Sequence, residues 1–172
     1  MSVVPLDHVM ARQLEDKLVA EMIHRYGGAG PAPVPIEQFA PPQGCFVVAT
    51  LDGAAVACGG FRFLRPQVAE IKRMYVDPAA RGRGLGRRHL AFLEQRAAEA
   101  GYTQVWLETG TEQPEAVSLY TAAGYRLMEP YGEFKYDSRS RCFSRTLGAV
   151  VTPAGGPDRR GPGETGSSAP TT

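Results

Sequence analysis

The sequence contains no C-x-x-C pair, and its three cysteines, Cys45, Cys58 and Cys142, are odd in number and far apart. That spacing argues against a disulfide framework or a thiolate zinc site, and the thiols are expected to be reduced and mostly buried. An excess of one charge is missing as well. Nineteen Lys and Arg stand against eighteen Asp and Glu, a formal net charge of +1. No global field therefore draws the chain onto nucleic acid or a membrane, and any basic function must be local. No apolar run approaches the roughly eighteen residues needed to cross a bilayer. The opening MSVVPLDHVMARQLEDKL lacks the basic segment and apolar stretch of a secretory leader, so a cytoplasmic location is expected.

What is present suffices for one domain. With 172 residues, 43% of them hydrophobic, the chain can bury a substantial core. Composition shifts near Gly148, where AVVTPAGGPDRRGPGETGSSAPTT has no aromatic residue and is rich in Gly, Pro, Ser and Thr. Such a segment buries too little surface to offset its ordering entropy. The expected division is a compact domain over residues 1–147 and a disordered tail over 148–172. A second proline-rich stretch, YGGAGPAPVPIEQFAPPQG, runs from Tyr26 to Gly44; Ile36 and Phe39 within it suggest a helical turn in a loop that packs on the core.

Asp7 is positioned to cap a helix whose apolar residues Val9, Met10, Leu14, Leu18 and Met22 recur at helical spacing, with Gly27 and Gly28 ending it. Cys45 to Thr50 and Ala54 to Leu64 read as strands joined by a hairpin at Asp52-Gly53. A third strand spans about Val68 to Val76 and stops at Asp77-Pro78. Leu85, Leu90, Leu93 and Ala97 share a face of the next helix, which Gly101 closes. VWLET is a strand, PEAVSLYTAAG a helix with Pro114 in its first turn, and YRLMEPY and RCFSRTL two further strands. The order predicts a mixed α/β domain around one sheet.

Between the third strand and the second helix lies RGRGLG, Arg81 to Gly86. Unpaired N–H groups and the helix dipole at such a junction favour an anion, and glycines allow oxygen atoms to approach the main chain closely. A nucleoside-triphosphate P-loop would end in Gly-Lys-Ser/Thr, whereas Gly86 precedes Arg87 and Arg88. A dinucleotide fingerprint starting at Gly82 and Gly84 would require a third glycine at Arg87.

Arg81-x-x-Gly84-x-Gly86, preceded by EIKRMYVDP, resembles the acyl-CoA pyrophosphate loop of the GNAT family of N-acetyltransferases. QPEAVSLYTAAGY, Gln113 to Tyr125, is similar to that family's helix pattern N-x-x-A-x-x-L-Y-x-x-x-G-F, with Gln113 in place of the usual asparagine. The strong match covers Glu70 to Tyr125. It implies a central, mostly antiparallel twisted sheet of about six to seven strands flanked by helices. It also implies acetyl-CoA as co-substrate, held by Met74, Tyr75 and Val76 on a bulged strand, by the loop residues Arg81, Gly82, Arg83, Gly84, Leu85 and Gly86, and by Gln113. The activity implied is transfer of an acetyl group, by direct attack in a ternary complex, to a primary amine of a small molecule such as an amino acid, a polyamine or an antibiotic-like compound, by a monomer or homodimer and without nucleic acid or membrane. A protein N-terminus or lysine as acceptor, and a catalytically silent CoA binder, are the alternatives.

Acetyl transfer needs a neutral amine, an oxyanion donor and a proton for the leaving thiolate. The resemblance puts Tyr120 at the position of the proton donor and Glu70 at that of a general base, with Glu108 at a strand end as a second candidate and a water chain as a third; the alternative for Glu70 is a solvated carboxylate or a pair with Lys72 on the same face of the strand. The oxyanion donor is expected to be the amide of Tyr75 or Val76. Residues of the N-terminal helix and its loop, the hairpin around Phe61 to Leu64, Arg73, Glu108 and the segment EPYGEFKYD are expected to wall the acceptor pocket. Arg62 and Arg73 suit an acceptor carboxylate; Glu129, Glu133 and Asp137 suit an amine.

Overall fold

The computed structural model describes residues 1–28 and 30–148. Apart from Gly148, the expected tail lies outside them. In chain order the elements are β1 (Ser2–Val3), α1 (Val9–Tyr26), β2 (Cys45–Leu51), β3 (Ala54–Arg65), β4 (Val68–Val76), α2 (Leu85–Glu99), β5 (Gln104–Gly110), α3 (Pro114–Ala122), β6 (Arg126–Met128) and β7 (Ser140–Thr146). Short 3-10 turns occupy Ile36–Phe39, Pro78–Ala80 and Gly132–Tyr136.

The strands form a single seven-stranded sheet in the order β1-β2-β3-β4-β5-β7-β6. Only β4 and β5 run parallel. They are joined through α2, the crossover that parallel neighbours require. The β2–β3 turn forms as its Asp-Gly pair predicts: Asp52 and Gly53 both take positive φ, 51° and 80°, matching the twist of a two-residue hairpin. Gly27 ends α1 at φ 72°, its N–H returning to the Ile23 carbonyl. The helix begins differently from expectation. His8, not Asp7, flanks the first helical residue, and its Nδ1 accepts from the Met10 N–H at 3.3 Å. Val9 consequently faces solvent, while Ala11, Leu14 and Leu18 carry the buried stripe.

Two apolar layers sandwich the sheet. Beneath α2 and α3 lie Ile71, Leu90, Leu93, Val105, Leu107, Tyr120 and Phe143; beneath α1 lie Leu14, Leu18, Phe46, Cys58 and Tyr75. Phe61, expected to wall the acceptor pocket, is instead 1% exposed in the α2 layer. Its ring meets Tyr102 edge-on at 5.9 Å, because the strand's period of two turns it inward. All three cysteines are buried free thiols.

The sheet opens along one seam. β4 and β5 pair from Val68↔Gln104 to Ile71↔Leu107 and no further. Beyond that rung β4 stays with β3, through Tyr75↔Cys58 and Val76↔Ala57, while β5 stays with β7 through Gly110↔Ser140. The cause is a bulge, since the β3–β4 register shifts between Cys58 and Gly60, opposite Arg73 at φ 63°. An extra residue on one strand bends it and increases its twist.

His89 on α2 is fully buried beneath Gly59, and neither ring nitrogen has a hydrogen-bond partner. Burial lowers its pKa to about 4, the nearby Gly59 backbone offsetting part of the shift. The unfolded chain binds this proton first, near pH 6.5, so His89's share of stability is intact above that pH and is lost as pH falls towards 4. The loss amounts to about 3 kcal/mol. Replacing His89 by Leu is expected to flatten this acid limb; calorimetric melting between pH 7 and 4 tests it, and an equally steep limb in the variant would refute the assignment.

Candidate active site

Where β4 and β5 part, a cleft of about 640 Å³ opens between the C-terminal half of α1, the loop through Pro31–Pro35, the strand ends and the turn after β6. Lys72, Arg73 and Met74 line one side; Glu108, Thr109 and Gly110 line the other. Tyr120 and Gln113 close it from α3.

The direction of the main-chain groups on the free edge of β4 follows from its neighbours. The Asp77 N–H donates to the Val56 carbonyl on β3 at 2.8 Å, so the Val76 carbonyl and N–H face away from β3. The Arg73 carbonyl lies 3.6 Å from Cys58 Sγ on the β3 side, which turns the Met74 N–H away as well. Met74 and Val76 therefore present donors to the seam. The Tyr75 N–H, one of the two expected oxyanion donors, points instead to β3, because alternate residues of a strand face opposite neighbours.

Gly84 is the N-cap of α2 at φ 70°, without a side-chain cap, and the Arg88 N–H to Gly84 carbonyl bond at 3.1 Å opens the helix. The preceding N–H groups are the free donors of a helix N-terminus. Gly82 is left-handed too, and a Cβ added at Gly84 would have nothing within 4 Å, whereas one at Gly86 would meet Leu119 at 3.4 Å. A bare cradle of N–H groups at a positive dipole end fits a diphosphate. Arg83 is exposed beside it. The Arg81 side chain turns elsewhere: Nε donates to the Val76 carbonyl at 2.9 Å, and Nη2 pairs with Glu21 at 2.7 Å. Val76 thus offers its N–H to the seam while its carbonyl is already taken.

Tyr120, 6% exposed, packs on Tyr125 and Phe143. Burial, with a further contribution from the charge of Glu108, pushes its phenol pKa well above the ordinary value. Glu108 lies on the other side of the cleft and accepts from Ser140 Oγ at 2.7 Å. Burial raises its carboxyl pKa, with Ser140 and Lys72 opposing the shift. Glu70 has a different setting. It is 1% exposed and does not line the cleft. Arg62 Nε at 2.7 Å, the Tyr131 hydroxyl at 2.9 Å and Lys72 Nζ at 3.4 Å all contact its carboxylate.

Arg73 reaches the cleft wall, but its guanidinium is engaged by Glu15 at 3.3 Å and by the Ala32 carbonyl at 2.5 Å. Gln113 holds the N-terminus of α3, with Nε2 donating to Tyr26 Oη at 3.3 Å. The N-terminal helix and its loop were expected in the pocket wall and do line the cleft, but Tyr26 at the helix end was not singled out. Its hydroxyl lies so close above Gly110 that a Cβ there would come within 1.9 Å of it, and it accepts the Glu112 N–H at 3.1 Å. Gly110 after a strand run was the one available signal, since glycine there often marks a close approach. Lys72 and Ser140 were missed as site residues because nothing in their neighbourhoods departs from an ordinary strand.

The family model described as "Acetyltransferase (GNAT) family" matches residues 12–125. The chain belongs to that family. It is 33% identical to an IAA acetyltransferase of Azospirillum brasilense over 147 residues, covering 85% of this chain and 91% of that protein. A GNAT-family acetyltransferase crystal structure from Staphylococcus aureus superposes with a TM-score of 0.68 at 16% identity, covering 86% and 99% of the two chains. The N-acetyltransferase PaiA of Thermoplasma acidophilum, solved in complex with coenzyme A, matches with a TM-score of 0.54 at 16% identity, covering 60% and 61%. These two likenesses concern the fold. Among the described residues no helix is long and apolar enough to cross a membrane.

The cradle can be tested without turnover. Gly84→Val forces a β-branched residue into the left-handed region and crowds the free N–H groups. Calorimetric affinity for coenzyme A is expected to fall at least tenfold while the domain stays folded, with a cooperative melting transition lowered by the backbone strain. An unchanged affinity would rule out the loop as the diphosphate site.

Proposed function

We propose that the cleft transfers the acetyl group of acetyl-CoA to a primary amine of a small molecule, with both substrates bound together. The observation that carries this reading is that Tyr120 and Glu108 line one cleft, beside a strand edge with free N–H groups. Acetyl-CoA supplies a thioester carbon open to attack and a thiolate leaving group. Everything else falls to the chain.

The loop N–H groups from Gly82 to Gly86 bind diphosphate oxygens, and the free N–H groups of Met74 and Val76 bind carbonyl oxygens laid along β4 as a neighbouring strand would be. One of them doubles as the oxyanion donor, a role preorganised because the strand holds it in place before substrate arrives. An amine attacks only after losing its proton. Glu108 is the base in this reading: it faces the cleft, has an oxygen free beside the one bonded to Ser140, and its raised pKa brings it towards that of an amine. Glu70, out of the cleft and met by three donors, serves instead to hold Arg62, Lys72 and Tyr131.

Tyr120 keeps its proton throughout the neutral range because burial and the Glu108 charge both disfavour the phenolate. The same low dielectric also makes a departing thiolate more basic, which offsets part of the cost of taking the proton from the phenol.

Tyr120→Phe removes only the hydroxyl and is expected to lower kcat by roughly 10 to 1,000-fold with acetyl-CoA affinity nearly constant. Initial rates of thiol release, together with calorimetry, read both quantities, and a fully active variant would leave thiolate departure unassisted. Glu108→Gln should slow the reaction most at neutral and acidic pH, with partial recovery at high pH, where the acceptor deprotonates by itself. A wild-type pH profile in this variant would remove Glu108 as the base.

A further inference from the structure

The face of the cleft opposite the α2 layer carries two opposite charges that do not pair with each other. Lys72 and Glu108 each stand one residue beyond Ile71↔Leu107, the last paired rung of β4 and β5. The strand period turns both away from the layer that buries Ile71 and Leu107. They are therefore neighbours across the seam, on one face, where the strands no longer touch. Lys72 contributes to the electrostatic environment of Glu108, yet neither forms an ion pair with the other. The Lys72 ammonium instead lies 3.4 Å from Glu70 and 4.8 Å from the centre of the Phe134 ring. Glu108 bonds only to Ser140 among the described side chains.

Glu70 meets Lys72 only at 3.4 Å and shares its carboxylate with closer partners. The Arg62 guanidinium bonds that carboxylate more closely, at 2.7 Å, and the Tyr131 hydroxyl donates to the same oxygen that Lys72 faces. Two cations and a hydroxyl donor thus converge on one buried anion, so one positive charge of this cluster is balanced only by Glu108 across the seam, with which neither cation forms an ion pair among the described residues. Both cations line the cleft with side chains about one-fifth exposed. Arg73 and Arg139, the other basic side chains in the wall, have their own partners in Glu15 and Asp137. Glu133 is exposed at the rim, where water screens it.

We propose that the acceptor is an amino-acid-like molecule that carries a carboxylate beside its amine. The carboxylate sits against Lys72 and the exposed edge of Arg62, and the amine faces Glu108. Paired strands are about 4.8 Å apart and splayed ones somewhat more, a gap that an amine and a carboxylate on the same carbon can bridge. The carboxylate pairs with Lys72 in a site screened from bulk water, where charge-assisted hydrogen bonds are strongest. The same Lys72 charge would repel a simple alkylammonium. The inference rests on the acetyl-transfer reading above and narrows its substrate class.

The test uses the full chain with acetyl-CoA and two matched panels, the free amino acids and their α-carboxamides, which keep the amine and lose the negative charge. Thiol release is expected with at least one amino acid at a kcat/KM tenfold or more above that of its carboxamide, the difference lying mainly in KM. Lys72→Met should collapse that ratio to within about threefold of unity, and Lys72→Arg should preserve it. Carboxamides or simple amines acetylated as well as the amino acids would overturn the proposal while leaving acetyl transfer standing. If no amine in either panel releases thiol, melting of the coenzyme A complex decides. N-acetylated amino acids that raise the melting temperature where N-acetylated carboxamides do not would support the carboxylate site, even with the acetyl-transfer reading itself in doubt; equal shifts, or none, would overturn it.

Discussion

The functional geometry depends on the Arg73 backbone being held at φ 63°. A side chain with a β-carbon in that region carries a cost of order 1–3 kcal/mol, and it persists only where its surroundings over-determine it. Here the guanidinium is fixed at both ends, by Glu15 of α1 and by the Ala32 carbonyl of the proline-rich loop. The consequence is mechanical. Bulging β4 against β3 swings its end away from β5, and the parted strands supply a cleft, a free edge of N–H donors and a wall that carries Glu108 and Tyr120.

A second set of contacts fixes the cofactor side of that cleft. Glu21 on α1 pairs with Arg81 of the glycine loop and with Arg25, whose Nη2 reaches Glu115 of α3 at 2.5 Å. Arg25 also donates to the Glu112 carbonyl, and Tyr26 covers Gly110. One helix end thus braces the glycine loop, the end of β5 and the start of α3 together. Individually exposed ion pairs contribute little, but joined as a network they set the positions of three segments relative to one another. Arg81 acts within that brace, keeping the loop against β4 and not reaching across it.

Charge separation across the seam follows from topology as much as from residue choice. In a parallel pair, residues one step past the last rung face the same side, so Lys72 and Glu108 confront each other by register. Had the strands stayed zipped, the two would have closed into an ordinary cross-strand ion pair. Parted, they remain available to a ligand bearing both charges. Glu70, one step inside the zipped region, shows the other outcome: it is buried and its carboxylate is already engaged.

Much of this was legible before folding. The hairpin at Asp52-Gly53, the helix stops at Gly27 and Gly101, the extent of β4 and the glycine cradle are local decisions, set by φ preferences, missing N–H groups and side-chain periodicity within a few residues. The motif resemblance rested on the same short stretches. Tertiary structure decided what local rules could not reach: that Phe61 faces the core, that Tyr75's N–H is spent on β3, that Arg81 and Arg73 are tied to α1, and that Glu70 is enclosed while Glu108 is open. Each of these depends on a partner dozens of residues away and on a one-residue register shift, and a strand's sequence carries no mark of which rung will be its last.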